Sequence, residues 1–478
     1  MPASQKKNTS KEQVFDLDGS GIIYAVTNTK SWNRVFRVAA VMKADVKPDI
    51  LKQAVADLRE RFPTFFVQLD NDFYNYKLRT VTDTDVIDKE DSYPCGHIDA
   101  GTGNKPMFRI KWFSNRITLE IFHVISDGTG AVNFLKSIVA RYAALQGFEV
   151  EKNEGVLDLN DAPSDAELED SYKKVKGGEG EKTSLKEVAA YRYRQPKKEN
   201  LFKLTHGFFP VDEMKQITKA SGVTITEYLA ALYTWSFYEN MLPANNKKPI
   251  KLSVPVNLRR FFNSVTMRGF SLYVTTCIYP TGKKRSFDDI LAEITPQLRE
   301  GFKEERLSKR VADNTATQNN PVIRKMPLFI KKRVLKIGYL LLGEKAMTSA
   351  FTNLGVLKIP QGMGEHLDHF DFAASGSMSN YINCAISTCG NIINVVFSSR
   401  SEATDVQRTF LTFLADKGIN VETQSNVKQK AVDTTKMIHC EQCKVEFKDN
   451  HLCCPLCGDQ GIPSEKKPLC ITAPYPEL

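Results

Sequence analysis

The sequence predicts a mixed α/β protein of two lobes, each a mixed sheet with helices, followed by a small C-terminal zinc ribbon. Its 478 residues suffice for two large lobes and one small additional unit. Apolar residues make up 42% of the chain and charged residues 25%, as in ordinary globular proteins, so disorder and fibrous architecture are excluded for its bulk. Strand and helix patterns occur on both sides of a polar stretch, and a cluster of cysteines follows them.

The first lobe is predicted over residues 14–152, after a disordered N-terminus at 1–13. Runs of period 2 indicate its strands, and apolar residues at helical spacing indicate its helices. The early elements are a strand at 32–42, a helix that starts at Pro48 and a strand pair at 65–69 and 73–78.

The segment 115–130 carries the clearest pattern in the first lobe. Apolar side chains alternate with others from Ile117 onwards, and His123 continues the apolar series. Because alternate residues of a strand share a face, His123 is expected to point into the protein. A turn at 126–130 then leads into an amphipathic helix predicted at 131–145.

A linker or surface crossover is predicted at 153–200, where charged residues and glycine replace large apolar ones. The second lobe is predicted at 201–428, the zinc ribbon at 436–465 and a tail at 466–478. Within the second lobe, the capping box from Thr224 to Glu227 starts a helix. Its other elements are a helix at 212–221, strands at 251–256, 271–279, 351–359, 371–374, 381–389 and 392–399, a helical basic segment and a final helix at 406–417.

The cysteines near the C-terminus have the spacing of a zinc site. Two C-x2-C pairs, Cys440 with Cys443 and Cys454 with Cys457, supply four soft thiolate ligands for tetrahedral Zn²⁺. A redox dithiol and coincidental spacing are the alternatives, and Cys453 could replace Cys454 as a ligand. Four thiolates leave no position for water or substrate, so the metal is predicted to be structural. The ribbon would then serve docking to a protein partner or oligomerisation.

The net charge of +9 is concentrated in one segment. Between Lys303 and Lys336, ten basic and three acidic residues leave an excess of seven positive charges. Such a patch could bind an anionic partner: a phosphorylated cofactor, an acidic carrier protein, a membrane surface or nucleic acid. The simpler interpretation is a solvated helical face without a partner. Nucleic acid is not favoured as a partner of the ribbon, because basic residues do not alternate with aromatic ones there.

A cytoplasmic protein is predicted, because residues 1–13 are polar and lack the apolar region of a signal peptide. No run approaches the ~18 to 20 apolar residues that cross a bilayer. The best candidate, 327–343, is interrupted by four basic residues, so any membrane contact is expected to be peripheral.

The sequence HVISDG at 123–128 contains the pattern H-x3-D-G, at the end of a strand that leads into a helix. On this motif the chain resembles the chloramphenicol-acetyltransferase-like superfamily, which includes condensation domains of peptide synthetases, plant BAHD acyltransferases and bacterial alcohol-acetyltransferase-like proteins. VPVNLR at 254–259 and TNLG at 352–355 are further similarities. Residues 30–421 look like the bacterial alcohol-acetyltransferase-like branch, and the ribbon lies outside the resemblance.

The resemblance implies an O-acyltransferase in which His123 is the general base. This residue would take the proton from an acceptor group as the acceptor attacks an acyl thioester. The resemblance also implies that Asp127 is structural and pairs with Arg259, and that Gly128 permits close approach where a tunnel enters. The donor would be acyl-CoA or an acyl-carrier thioester and the acceptor a small-molecule alcohol; no cofactor-binding residue is identified. Amide formation on a carrier protein, or a non-catalytic module that binds an acyl chain or a protein, are the alternatives.

Two features depart from the patterns of the superfamily. Condensation domains have two adjacent histidines, but Phe122 takes the first position here. The plant motif D-F-G-W-G has no clear counterpart, and DFAAS at 371–375 is the nearest sequence. Without the motif, His123 would be assigned as a core histidine at the end of a strand, the following Asp-Gly pair as a simple turn and Arg259 as a surface arginine.

Overall fold

The computed structural model describes most of the chain. The residues that it describes are 12–29, 34–101, 103–175, 188–193, 195–196, 201–241, 247–281, 283–339, 346–375, 382–428, 436–471 and 473–476. Most of the predicted disordered N-terminus, part of the predicted linker at 153–200 and the end of the predicted tail lie outside these residues.

The described residues form both strands and helices, as expected for a mixed α/β protein. The strands are β1 (Val14–Asp16), β2 (Val35–Met42), β3 (Val67–Asn71), β4 (Tyr76–Thr80), β5 (Ile87–Lys89), β6 (Phe108–Phe113), β7 (Arg116–Phe122), β8 (Lys203–Pro210), β9 (Ile250–Asn257), β10 (Ser271–Ile278), β11 (Ser349–Val356), β12 (Leu367–Ala373), β13 (Ile382–Cys389), β14 (Ile392–Ser399), β15 (Glu422–Ser425), β16 (Met437–Cys440), β17 (Val445–Lys448) and β18 (Ile462–Ser464). The helices are α1 (Gly21–Thr27), α2 (Pro48–Asp57), α3 (Gly128–Ala144), α4 (Asp165–Leu168), α5 (Val211–Ala220), α6 (Ile225–Glu239), α7 (Arg259–Phe262), α8 (Phe287–Gly301), α9 (Glu304–Asn319), α10 (Pro321–Lys325), α11 (Leu328–Gly338) and α12 (Asp405–Asp416).

The first lobe is built on a five-stranded sheet with the order β12-β2-β7-β6-β5. β2 and β7 are buried along their whole length and pair antiparallel, so they form the centre of this sheet. α2 and α3 pack on each other, and α3 also contacts β2 and β7. β12 follows most of the second lobe in sequence, yet it pairs with β2 of the first lobe. The two lobes are therefore joined by a strand as well as by side chains.

The second lobe is built on a larger sheet with the order β10-β9-β11-β13-β14-β8-β15-β17-β16-β18. α6 packs against α8 and α12 and contacts this sheet through β9 and β11. β17 pairs in parallel with β15, so the strands of the cysteine-rich segment continue the sheet of the second lobe. The segment predicted as a zinc ribbon is thus docked on the second lobe through backbone hydrogen bonds.

Several elements that hold the second lobe together are not predicted from the sequence. β8 is buried on both faces, so it lacks the alternation that marks a half-buried strand. β15 has the polar sequence ETQS but is fully buried between β8 and β17. α8 is also not predicted, and neither is β6 of the first lobe. By contrast, the predicted capping box is present, since Thr224 and Glu227 make both reciprocal hydrogen bonds at the start of α6.

The C-terminal segment predicted as a tail contacts both lobes. Tyr475 is buried, and the Arg116 guanidinium of β7 lies 3.7 Å from the centre of its ring. The Tyr475 hydroxyl is 2.9 Å from Nε2 of His206 on β8. Arg116 also donates a 3.1 Å hydrogen bond to the carbonyl of Ala473. The segment 473–475 therefore fills a polar, buried position between the two sheets.

A charged histidine lies next to this position. His369 on β12 is buried, with Nδ1 2.7 Å from Asp368 and Nε2 3.3 Å from Asp371. Burial acts to lower the pKa of His369, but hydrogen bonds to the two carboxylates outweigh it and raise the pKa to about 9. The charged form of His369 is thus part of the native structure at neutral pH.

Among the described residues, no helix combines the length and the apolar character that crossing a bilayer requires.

His369 makes the stability of the protein pH-dependent on the alkaline side. Its folded pKa is raised above the ordinary 6.5, so the stabilisation is fully present below pH 6.5 and is lost as pH rises through about 9. The full effect corresponds to roughly 3 kcal/mol. Thermal unfolding of the wild type should lose more stability between these pH values than that of His369→Gln. The control His97→Gln should follow the wild type, and parallel curves for wild type and His369→Gln would contradict the assignment.

Candidate functional site

His123 follows the last residue of β7 and faces the N-terminal helix α1. Its backbone N–H donates a 2.9 Å hydrogen bond to the carbonyl of Arg34, so the start of the loop stays aligned with the edge of β2. The imidazole stacks on the Tyr24 ring, with centroids 4.2 Å apart and an angle of 15° between the planes. The Phe36 ring lies 4.8 Å from it at a tilted angle. As predicted, His123 points inward, and it is half-buried.

The surroundings of His123 favour its neutral form. Burial lowers the pKa of the imidazole from its ordinary 6.5, and the negative charge of Asp127 only partly opposes this effect. The Nδ1 atom is buried and has no hydrogen-bond partner on another residue in the described part of the chain. A neutral imidazole can accept a proton, which is the first requirement for a general base.

Asp127 uses both carboxylate oxygens to fix the loop that follows His123. Oδ1 accepts hydrogen bonds of 3.1 Å from the backbone N–H groups of Thr129 and Gly130, so Asp127 caps the N-terminus of α3. This cap explains why α3 starts at Gly128, three residues before the predicted position. Oδ2 accepts a 2.7 Å hydrogen bond from Arg259 and a 2.8 Å hydrogen bond from the backbone of Phe270. Despite its burial, these partners lower the pKa of Asp127, which is therefore a carboxylate.

Arg259 connects this loop to the second lobe. It lies at the start of α7, and besides Asp127 it donates to the carbonyls of Thr266, at 2.8 Å, and Arg268. The guanidinium is largely buried, with a side chain 10% exposed. The structure thus brings His123, Asp127, Gly128 and Arg259 together where the lobes meet. It places Arg259 inside the protein and not on the surface.

Two further polar contacts join the same loops, and the sequence analysis does not identify them. The Ser126 hydroxyl donates a 2.6 Å hydrogen bond to the carbonyl of Met267. The Asn257 amide donates a 3.1 Å hydrogen bond to the hydroxyl of Thr129. Asn257 lies in the VPVNLR sequence that carries part of the resemblance, which is the one signal for it. These contacts make the loop 123–130 a rigid junction between the lobes.

Gly128 and Gly130 allow the chain segments to approach closely at this junction. A Cβ atom at Gly128 would lie 2.7 Å from the Leu354 side chain and 3.4 Å from Phe372. A Cβ atom at Gly130 would overlap Ser126 and the carbonyl of Met267. Gly128 therefore adjoins the end of β11 and β12 of the first sheet, so TNLG and DFAAS both meet the H-x3-D-G loop.

The residue that stacks on the His123 imidazole carries no sequence motif. Tyr24 covers one face of the imidazole, and nothing in the sequence around it signals this position. Two surface clefts, of about 440 and 330 Å³, lie elsewhere, and no residue of the loop 123–130 lines them. The first is lined by Thr281, Arg285, Asp289, Ala292 and Glu293, and the second by Arg408, Thr409, Thr412 and Gln442.

The four predicted thiolate ligands form one cluster. The Sγ atoms of Cys440, Cys443, Cys454 and Cys457 all lie within 4.8 Å of one another, and those of Cys440 and Cys457 are 3.5 Å apart. The Cys443 thiol and nearby backbone N–H groups lower the pKa of Cys454 to about 5 against the effect of burial. Four converging sulfur atoms with N–H donors around them fit a tetrahedral metal site. Cys453 is not part of the cluster.

No family model and no curated protein sequence matches the chain. Several solved structures share its fold. Polyketide synthase associated protein 5 from Mycobacterium tuberculosis aligns over 84% of this chain and 98% of its own, with a TM-score of 0.53 and 13% identity. TRI101 of F. sporotrichioides, solved with coenzyme A and T-2, aligns over 83% and 97%, with a TM-score of 0.55 and 12% identity. The first condensation domain of the CDA synthetase aligns over 84% and 96%, with a TM-score of 0.51 and 11% identity. The chain therefore shares the two-lobed α/β fold of these three proteins.

Proposed function

We propose that the chain is an acyltransferase of the chloramphenicol-acetyltransferase-like superfamily, from its bacterial alcohol-acetyltransferase-like branch. It transfers an acyl group from acyl-CoA, or from an acyl-carrier thioester, to a small-molecule alcohol. The observation that carries this proposal is the position of His123, a neutral imidazole at the lobe junction on a loop fixed by Asp127 and Arg259. The fold that the chain shares with coenzyme A-bound TRI101 supports a thioester donor.

In the proposed reaction His123 is the general base. Because Nδ1 is buried, the other ring nitrogen, Nε2, takes the proton of the acceptor hydroxyl. The acceptor oxygen attacks the thioester carbonyl, the carbon–sulfur bond breaks and the thiolate leaves, and the imidazolium returns the proton to the sulfur. Asp127 takes no part in proton transfer in this proposal, since both of its oxygens are occupied by structural hydrogen bonds. Gly128 provides the close approach of the segments around the acyl group.

A structural zinc ion is the second part of the proposal. The ion would be held by the thiolates of Cys440, Cys443, Cys454 and Cys457. It would stabilise the ribbon as a cross-link and take no part in acyl transfer. A cytoplasmic location is proposed as well, since five of the ten cysteines lie between Cys440 and Cys457, a distribution that does not suit a disulfide scaffold. The ribbon is also the proposed contact for a protein partner.

A non-catalytic binding module is the second candidate function, and the Tyr24 ring favours it. Tyr24 stacks on the imidazole and narrows the approach of a substrate. A module of this kind would bind an acyl chain or a protein without cleaving a thioester. Amide formation on a carrier protein is a variant of the first proposal, and the ability of free acyl-CoA to serve as donor separates the two.

The His123→Ala variant tests the enzymatic proposal. Loss of a general base should lower acyl transfer about 10²- to 10⁴-fold, measured as thiol release from acetyl-CoA with a panel of alcohols. His366→Ala is the matched control, since His366 lies outside the loop 123–130 and should leave transfer unchanged. Undiminished turnover in His123→Ala would contradict the proposed base. Absence of thioester cleavage in the wild type with any donor and acceptor would favour the binding module.

The zinc proposal is tested by metal analysis of cysteine variants. Purified wild type should contain one zinc ion per chain, and a strong chelator should remove it and lower the unfolding temperature. Cys443→Ser should lose the zinc, because three thiolates bind it far more weakly. Cys453→Ser is the matched control and should keep it, since its side chain is outside the cluster. Wild type without zinc, or loss of zinc in Cys453→Ser, would contradict the assigned ligand set.

A further inference from the structure

The basic segment of the sequence forms an unusual outer surface at α11. Phe329, Ile330, Val334 and Ile337 are each between 40% and 59% exposed. At the ~100° per residue of an α-helix, these four side chains fall within an arc of roughly 140° on one face. A contiguous group of large, exposed apolar side chains is typical of an interaction surface.

Basic residues surround the apolar side chains. No acidic residue occurs between Pro321 and Gly338, and six basic ones do. Lys331 is buried and donates to the loop at Tyr74 and Asn75, and Lys332 lies over the Tyr76 ring. The other four basic residues form no ion pair in the described part of the chain. They are Arg324, Lys325, Arg333 and Lys336.

The tip of the β3–β4 hairpin extends this surface. Phe73 and Tyr74 are exposed aromatic residues whose rings contact each other at 4.9 Å. The backbone N–H of Leu328 donates a 2.9 Å hydrogen bond to the carbonyl of Phe73, and Lys331 donates to that of Tyr74. Hairpin and helix are therefore held together. We call the outer face of α10 and α11 with Phe73 and Tyr74 the docking surface.

The docking surface lies next to α1, whose Tyr24 ring stacks on the His123 imidazole. α11 packs against α1, the helix that carries Tyr24. The Tyr339 ring, directly after α11, lies 5.1 Å from the guanidinium of Arg34, whose carbonyl holds the backbone of His123.

We propose that the docking surface binds the interface of an anionic lipid bilayer. Large apolar side chains on one helix face, with Lys and Arg on and beside that face, are typical of helices that lie in the headgroup region. Anionic headgroups would satisfy the four unpaired basic residues, and the exposed aromatic rings would sit at headgroup level. A second copy of this chain is a poor occupant, because it would bring like charges together. The apolar side chains also form an outward ridge, which inserts between lipids without needing a complementary groove.

The test is sedimentation of the full-length protein with vesicles. Wild type should sediment with vesicles of phosphatidylcholine and phosphatidylserine, less so at high salt, and much less with phosphatidylcholine alone. The double variants Phe329→Ser/Ile337→Ser and Arg333→Glu/Lys336→Glu should each bind at least about tenfold more weakly. Ile462→Ser on β18 and Lys215→Glu on α5 are matched controls at exposed positions elsewhere and should bind like the wild type.

A second measurement locates the contact. The emission of a tryptophan introduced by Phe329→Trp should shift to the blue with anionic vesicles, while the spectrum of wild type should change little. The proposal would be overturned if the double variants bound anionic vesicles as tightly as the wild type, or if the wild type did not sediment with them. Binding of the wild type to an acidic acyl carrier protein but not to vesicles would overturn it as well. Both readouts measure binding, so the result does not depend on the proposed acyl transfer.

Discussion

The ion pair between Asp127 and Arg259 is the interaction on which the candidate site depends. Two buried charges lose the solvation of water, and they are tolerated only when each is fully hydrogen-bonded. Here the Asp127 carboxylate has four donors, and Arg259 has carbonyl acceptors from its own lobe. One pair therefore caps α3, orients the loop after His123 and joins the two lobes. The same saturation removes Asp127 from proton transfer, so the imidazole is the one titratable group of the motif left for chemistry.

The contacts of the His123 imidazole affect both its pKa and the approach of a substrate. The Tyr24 and Phe36 rings contact the imidazole, and burial lowers its pKa, which keeps it able to accept a proton at neutral pH. The same contacts restrict the approach of a substrate. α1 carries Tyr24 and packs against α11. The helix that covers the imidazole therefore contacts the basic outer helix. In the proposed reaction, a partly buried base interacts more strongly than an exposed one with the charge that develops on the acceptor oxygen.

The sequence predicts the α/β class and most strands of both lobes, because these depend on local patterns. The resemblance that rests on the H-x3-D-G motif implies His123, Asp127, Gly128 and Arg259 as site residues, and the two C-x2-C pairs predict the thiolate cluster. Contacts between distant segments are not predictable in this way. β15 has a polar sequence and becomes a strand only because β8 and β17 flank it. Tyr475 and Tyr24 lie in segments without periodicity, and their positions are set by the folded partners Arg116 and His123.

A double-mutant cycle on Asp127 and Arg259, read as the free energy of unfolding, tests this account most directly. Each single change, Asp127→Ala or Arg259→Met, should cost roughly 3 to 5 kcal/mol because it leaves the partner charge buried and unpaired. The double variant should lower the free energy of unfolding by much less than the sum of the two single changes, with a coupling energy above about 1 kcal/mol. Additive costs would contradict the account, since the loop that carries His123 would then not depend on the pair.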